Sequence, residues 1–201
     1  CAFKKNIHNL RNNPDLIILK KIKNESLKYI MMSTSKVYAS KKFKIFEEKE
    51  KCIPNSQYGK IRLNTEKKLI NSLKNRLLIL RLSNVLNYNP QNKKKYFNTI
   101  DQMIYNLKIY KKIFLPKDKI IKDFITLDFL IKNIYILIRK NKTGIFNVSS
   151  TIKITLENIA KIITKKFKRG EIIKRNYKTN SFLLLNKKLL NITKIKIDKK
   201  E

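Results

Sequence analysis

Short runs of consecutive apolar residues alternate along this chain with longer stretches in which apolar positions recur every three or four residues. That alternation is the pattern of an α/β protein. Residues 28–34 (KYIMMST) and 77–83 (LLILRLS) predict buried strands. Between them, residues 57–76 predict a helix with Leu63, Leu69, Ile70 and Leu73 on one face. A second helix is expected over 96–108, then a short strand at 112–115 that stops at Pro116. Over 128–139, Leu130, Ile131, Ile134 and Leu137 repeat at helical spacing, with Asp128 as the expected cap. Residues 145–148 (IFNV) predict another strand. An amphipathic helix follows over 155–167, with Thr155 as N-cap, Asn158 in its first turn, a basic last turn and a stop at Gly170. A strand at 171–175 and a short helix at 185–190 complete the pattern. Residues 39–56 and 89–95 are the expected loops, the tail after Thr193 is expected to fray, and no internal repeat is visible.

Charge adds a question to this picture. Of the 201 residues, 48 are Lys or Arg and 14 are Asp or Glu, a formal net charge of +34. Such a chain attracts phosphate, so a basic nucleic-acid-binding protein is one function class. The basic residues are 41 Lys and only 7 Arg, however, and they run from Lys4 to Lys200. A nucleic-acid binder uses Arg generously, because its planar fork grips phosphate and guanine in two places. The 32 Ile and 23 Asn, beside three Gly and four Pro, point instead to an AT-rich coding bias. Nucleic acid is therefore disfavoured as a partner.

The remaining composition mainly excludes. A hydrophobic share of 42% is too high for a disordered polyelectrolyte. No apolar run approaches the roughly 18 residues that cross a bilayer, the longest (129–138) being broken by Lys132 and Asn133, so no membrane is expected. Cys1 and Cys52 make no disulfide framework. The single histidine, His8, is expected at the surface or in a cap and supports neither a metal site nor a His-based triad. The first residues lack the apolar core of a secretory signal, and the expected setting is cytoplasmic. A chain that opens on Cys rather than Met reads as a fragment or a processed product.

Four segments in one order carry a resemblance. Ser33-Thr34-Ser35-Lys36-Val37-Tyr38 ends the first predicted strand. Tyr58-Gly59-Lys60-Ile61-Arg62, followed by Glu66, opens the first helix. Leu80-Arg81-Leu82-Ser83-Asn84-Val85 ends the second strand. Lys122-Asp123-Phe124-Ile125-Thr126-Leu127-Asp128 precedes the next amphipathic helix, and Gly144-Ile145-Phe146-Asn147-Val148 is a weaker fifth. Over roughly residues 25–190 the chain resembles the extended short-chain dehydrogenase/reductases, the NAD-dependent epimerase/dehydratase group that acts on nucleotide sugars.

The resemblance implies a fold and a chemistry. The fold would be α/β, a partial doubly wound parallel sheet of Rossmann type with its first βαβ units missing, and a small C-terminal substrate subdomain. Residues 1–88 would be the C-terminal half of the dinucleotide-binding domain. Residues 89–201 would form the substrate-binding part, with a returning strand and helix near 120–140. The cofactor would be NAD or NADP, the substrate a nucleotide-linked sugar, and a homodimer could form through the helix bearing Tyr58 and its neighbour. Tyr58 would be the general acid/base for the sugar hydroxyl, and Thr34 would hydrogen-bond the reacting oxygen. A free tyrosine titrates at about 10, so it needs a nearby cation to work near neutral pH. Residue 62 lies one turn on, on the same helix face. Ser33, Tyr58 and Arg62 would hold the cofactor, and Asn84 and Lys122 the substrate, with Lys122 at its diphosphate. Arg81 is expected to pack structurally.

The departures sharpen the expectation. Position 62 is Arg where the family has a Lys that also binds the nicotinamide ribose, which leaves both tasks open. Ala39 replaces the usual glycine, and Lys122 stands where the family often has Arg. Ser35 and Lys36 occupy the places of the dehydratases' Asp-Glu pair, so dehydration is disfavoured and epimerisation, oxidation or reduction remain. The family's G-x-x-G-x-x-G phosphate loop cannot be built from Gly59, Gly144 and Gly170. Cys1-Ala2-Phe3 resembles the end of the family's fourth strand, and Asn9 the asparagine of the following helix. The expected function is thus a fragment of an NAD(P)-dependent oxidoreductase or epimerase, inactive in isolation. A non-catalytic, degenerate relative and a basic nucleic-acid-binding protein are the alternatives.

Overall fold

A strand buried on both faces has no polar side to show, and its sequence then reads as an unbroken apolar run. The centre of the molecule is built that way. The computed structural model describes residues 13–40, 43–86, 98–177, 179 and 181–196. Its elements are α1 (Pro14–Ile22), β1 (Tyr29–Thr34), β2 (Lys44–Phe46), α2 (Gln57–Leu73), β3 (Leu77–Leu82), β4 (Asn84–Leu86) and α3 (Thr99–Tyr110). They continue with β5 (Lys112–Pro116), β6 (Ile121–Lys122), β7 (Phe124–Thr126), α4 (Leu127–Arg139), β8 (Gly144–Val148), β9 (Ile154–Thr155), α5 (Leu156–Phe167), β10 (Glu171–Arg175), β11 (Phe182–Leu184) and α6 (Lys187–Thr193).

Strands β1, β3 and β8 form a parallel sheet in that order. The middle strand β3 alternates its side chains between two helical layers. Leu77 and Ile79 join Met31 beneath Leu69 and Leu73 of α2. Leu78 and Leu80 join Phe146 and Val148 beneath Phe129, Leu130 and Leu137 of α4 and Leu189 of α6. A second cluster forms where the parallel pair β5–β10 meets α3 and α5, with Leu107, Ile113, Leu115, Phe124, Ala160 and Ile163 inside it. Short pairs β4–β7 and β6–β9 lie between the two clusters. The architecture is mixed α/β with parallel sheets, as the alternating pattern predicts.

The structure revises several details. The helix expected over 57–76 ends at Leu73 and continues as a 3-10 turn, Lys74–Arg76. Its buried face carries Ile61, Arg62, Thr65, Glu66, Leu69 and Leu73, while Ile70 is exposed. On α4, Ile131 is likewise exposed. Thr126, not Asp128, caps that helix, accepting from the Phe129 amide at 3.1 Å. Asp128 instead pairs with Lys132 on the helix surface. Thr155 caps α5 as expected, accepting from the Asn158 amide. Lys168 closes that helix in the left-handed conformation, and Gly170 follows at φ +96 with its α-carbon against Leu107, where a methyl group would sit 2.1 Å from Leu107 Cδ1. The last helix, expected over 185–190, starts two residues later and ends three later, at Lys187–Thr193. The expected loop 39–56 contains β2, paired with β11. Residues 89–95, the first two positions of the expected 96–108 helix, Cys1–Phe3, His8, Asn9 and the end of the tail lie outside the described residues. No helix among the described residues is long and apolar enough to cross a membrane, and no acidic, His or Cys cluster among them could hold a metal ion.

Candidate active site

Parallel strands leave a crevice at their carboxyl ends, where the connections to helices diverge. β1 ends there at Thr34. Alternation along the strand sends Ser33 and Thr34 to opposite faces. The Thr34 hydroxyl accepts from the Lys36 amide at 3.3 Å and so caps the 3-10 turn Ser35–Val37. Helix α2 begins opposite this turn, with Ser56 as N-cap accepting from the Gly59 amide at 3.1 Å. Gly59 lets the two approach: a Cβ there would lie 2.1 Å from the Lys36 carbonyl oxygen and 2.9 Å from Pro54 Cβ. Gly59→Ala is expected to cost about 2 kcal/mol through that overlap, measured by urea unfolding. A variant as stable as the parent would show that turn and helix can part without cost.

Tyr58, the second residue of α2, faces Thr34. Burial pushes its phenol upward from the ordinary tyrosine value. The Arg62 guanidinium draws it down, as does the Thr34 hydroxyl donating to the phenol oxygen, while Asp15 pushes it up. The Lys36 ammonium lies 5.7 Å from the Tyr58 ring centre. Arg62 follows one turn later and is 4% exposed. Its Nη1 pairs with Asp15 Oδ2 at 2.5 Å, and its Nη2 donates to the Met32 carbonyl. Thr34, Tyr58 and Arg62 are thus brought together. Ser33 is not with them, because its hydroxyl donates to the buried Glu66 on the other face of the strand.

The two residues expected at the substrate meet elsewhere along the same crevice. Pairing of β4 with β7 lets Asn84 donate through Nδ2 to the Asp123 carbonyl at 2.8 Å. Asn84, Lys122, Asp123 and Lys36 line a cavity of about 50 Å³ beside the 3-10 turn. Burial, and then the positive charge of Lys36, pull the Lys122 amine down to about 8. Asp123 is 2% exposed. Burial pushes its carboxyl up, and the Ser149 and Ser150 hydroxyls and the Ser150 amide oppose that.

A dinucleotide fits this arrangement unevenly. Tyr58 and Thr34 present hydroxyls to one another at the strand end, as a reacting alcohol would require. Arg62 has both terminal nitrogens engaged, while its buried Nε has no hydrogen-bond partner among the described residues. The Ser33 hydroxyl is likewise committed. Sequence reasoning missed Asp15 and Asp123 as members of the site. The signal for Asp15 was its place in the first turn after Asn13-Pro14, a helix start.

Several solved structures share the fold. A UDP-N-acetylglucosamine 4-epimerase from Methanobrevibacter ruminantium M1, in complex with UDP-N-acetylmuramic acid, superposes with a TM-score of 0.82 at 20% identity, covering 98% of this chain and 67% of that one. A UDP-glucuronic acid 4-epimerase from Bacillus cereus, in complex with NAD, gives 0.76 at 21% identity over 96% and 64%. A dTDP-glucose 4,6-dehydratase from Bacillus anthracis str. Ames, in complex with NAD, gives 0.74 at 20% over 90% and 59%. The chain thus spans about three fifths to two thirds of the length of these proteins. A search of curated proteins finds no match. The profile of the RmlD substrate binding domain matches residues 17–176, a stretch that holds β1, the Thr34–Tyr58 pair, Asn84 and Lys122, and the chain belongs to that family.

Proposed function

We propose that this chain is part of an NAD- or NADP-dependent enzyme that oxidises, reduces or epimerises a nucleotide-linked sugar, with Tyr58 as the acid/base. Residues 1–88 belong, in this reading, to its dinucleotide-binding half and 89–201 to its substrate-binding half. The observation that carries it is the placement of Tyr58, at the start of α2, against Thr34 at the carboxyl end of a parallel strand, in a chain of this family. A dinucleotide bound beside Thr34 and Tyr58 would supply the hydride acceptor or donor for the sugar carbon. Tyr58 takes the hydroxyl proton of the sugar on oxidation and returns it on reduction. Thr34 orients the reacting oxygen against Tyr58. Lys122 supplies positive charge to the diphosphate, and Asn84 lines the sugar end. Ser35 and Lys36, in the places of a dehydratase's acidic pair, leave no acid and base for expelling water.

The test is binding of UDP-glucose by ligand-observed NMR. An amine that titrates near 8 is charged at pH 7 and largely neutral at pH 9. The anion needs the charged form, so affinity is expected to fall about tenfold between those pH values. Lys122→Met should weaken binding at pH 7 and abolish the pH dependence. Absence of binding, or binding with the same pH profile in Lys122→Met, would overturn the reading.

A further inference from the structure

Arg62 is a buried cation, and its partner lies on another helix. A guanidinium taken out of water and left uncompensated costs several kcal/mol, so a buried Arg needs an anion within reach. Asp15 supplies it from the first turn of α1. Both carboxylate oxygens are committed: Oδ2 to Arg62 Nη1 at 2.5 Å and Oδ1 to the Tyr29 hydroxyl, which donates at 2.7 Å. The side chains of Asp15 and Arg62 are 10% and 4% exposed. Asn13 fixes the helix that carries Asp15. Its side chain accepts from the Asp15 amide at 3.1 Å and donates to Thr65 of α2 at 2.7 Å. The planar fork of Arg62 grips Asp15 and the Met32 carbonyl at once, a geometry that the point charge of a lysine does not reproduce.

We propose that Asp15 is a tuning residue for the Thr34–Tyr58 pair: its carboxylate, held in a buried ion pair with the Arg62 guanidinium, offsets the positive charge that reaches the phenol. This deepens the reading of Tyr58 as acid/base and rests on it for its functional meaning. Among the described residues, the groups that act on Tyr58 are Arg62 from its own helix, Thr34 from β1, Lys36 from the following turn and Asp15 from α1. Arg62 favours the phenolate, and Asp15 opposes it. A cation paired this way stabilises the deprotonated tyrosine less than an unpaired one would. The pair also engages both terminal nitrogens of Arg62, with Asp15 and with the β1 backbone. In this chain, then, holding the dinucleotide and tuning the tyrosine are not both tasks of residue 62.

The experiment is a titration of Tyr58 in the intact chain by 13C-tyrosine NMR, the signal being assigned by its loss in Tyr58→Phe. Asp15→Asn removes the opposing charge, and the Tyr58 midpoint is expected to fall by about one pH unit. Arg62→Gln removes the cation, and the midpoint is expected to rise. In the double variant the two effects oppose, returning the midpoint toward that of the parent. An unchanged midpoint in Asp15→Asn overturns the proposal. If Asp15→Asn does not fold, because it strands a buried guanidinium, Arg62→Gln is compared with the double variant. A lower midpoint in the double supports the proposal, and equal midpoints overturn it. A merely structural Asp15 would change stability without moving the phenol. The titration reads Tyr58 directly, so its outcome is separate from whether the chain binds a nucleotide sugar.

Discussion

Glu66→Ala is expected to lower the free energy of unfolding by about 3–5 kcal/mol, the largest stability effect of any single side chain near the site. Glu66 is 1% exposed, on the inner face of α2. Its carboxylate receives Arg81 Nη2 at 2.7 Å and Arg81 Nε at 3.2 Å, and the Ser33 hydroxyl donates to it as well. Arg81 in turn donates to the Tyr38 hydroxyl at 2.6 Å, and that hydroxyl donates to Asn147 at 3.1 Å. Burial holds the Tyr38 phenol up at about 12, so it stays a donor through the physiological range. The network joins the carboxyl ends of β1, β3 and β8 to α2. Its loss leaves the Arg81 guanidinium buried among apolar strands with no counter-charge, which is the expensive outcome. Urea unfolding checks this, and the double variant Glu66→Ala/Arg81→Met should recover part of the loss, because the two effects are not additive. A loss below about 1 kcal/mol would mean that water or relaxation compensates Arg81.

That network also explains what could be foreseen. The run LLILRLS announced β3 because both faces of the strand are covered. The face of α2 was harder to read. Periodicity placed Leu63, Leu69, Ile70 and Leu73 inward, but the helix turns Arg62 and Glu66 to the core and leaves Ile70 outside. A charged residue on a buried face is legible only with its partner, and the partners are 47 residues away at Asp15 and 15 away at Arg81. The Tyr58–Arg62 pairing was legible because both sit on one helix at a spacing of four. The commitment of Ser33 to Glu66, and of Arg62 to Asp15, was not, since each depends on tertiary packing. Short elements failed for a plainer reason. β6, β7 and β9 are two or three residues long and complete no period, and α1 has nine residues. The high charge proved the least informative feature of the composition. Among the described residues, the cations the fold takes out of water are Arg62 and Arg81, with Lys122 half-buried at the cavity beside the 3-10 turn.

On the proposed reading, Tyr58→Phe in a full-length version is expected to lower kcat by about 10²- to 10⁴-fold, with little change in affinity for the sugar nucleotide. The ring and its packing survive the substitution, and only the oxygen that meets the Thr34 hydroxyl is lost. Asn84 and Lys122 line a cavity that Tyr58 does not, so ground-state binding should hold. Thr34→Val removes a donor that favours the phenolate, and a smaller loss is expected. The direction of the pH dependence follows from burial, which raises the phenol above its ordinary value. Oxidation of the sugar needs the phenolate, so its rate should climb with pH across the alkaline range. Reduction needs the phenol and should stay level until the group titrates. A Tyr58→Phe protein with undiminished kcat, or an oxidation rate that is flat with pH, would remove Tyr58 from the chemistry. The fold would then keep the residue only for the contact between the start of α2 and the end of β1.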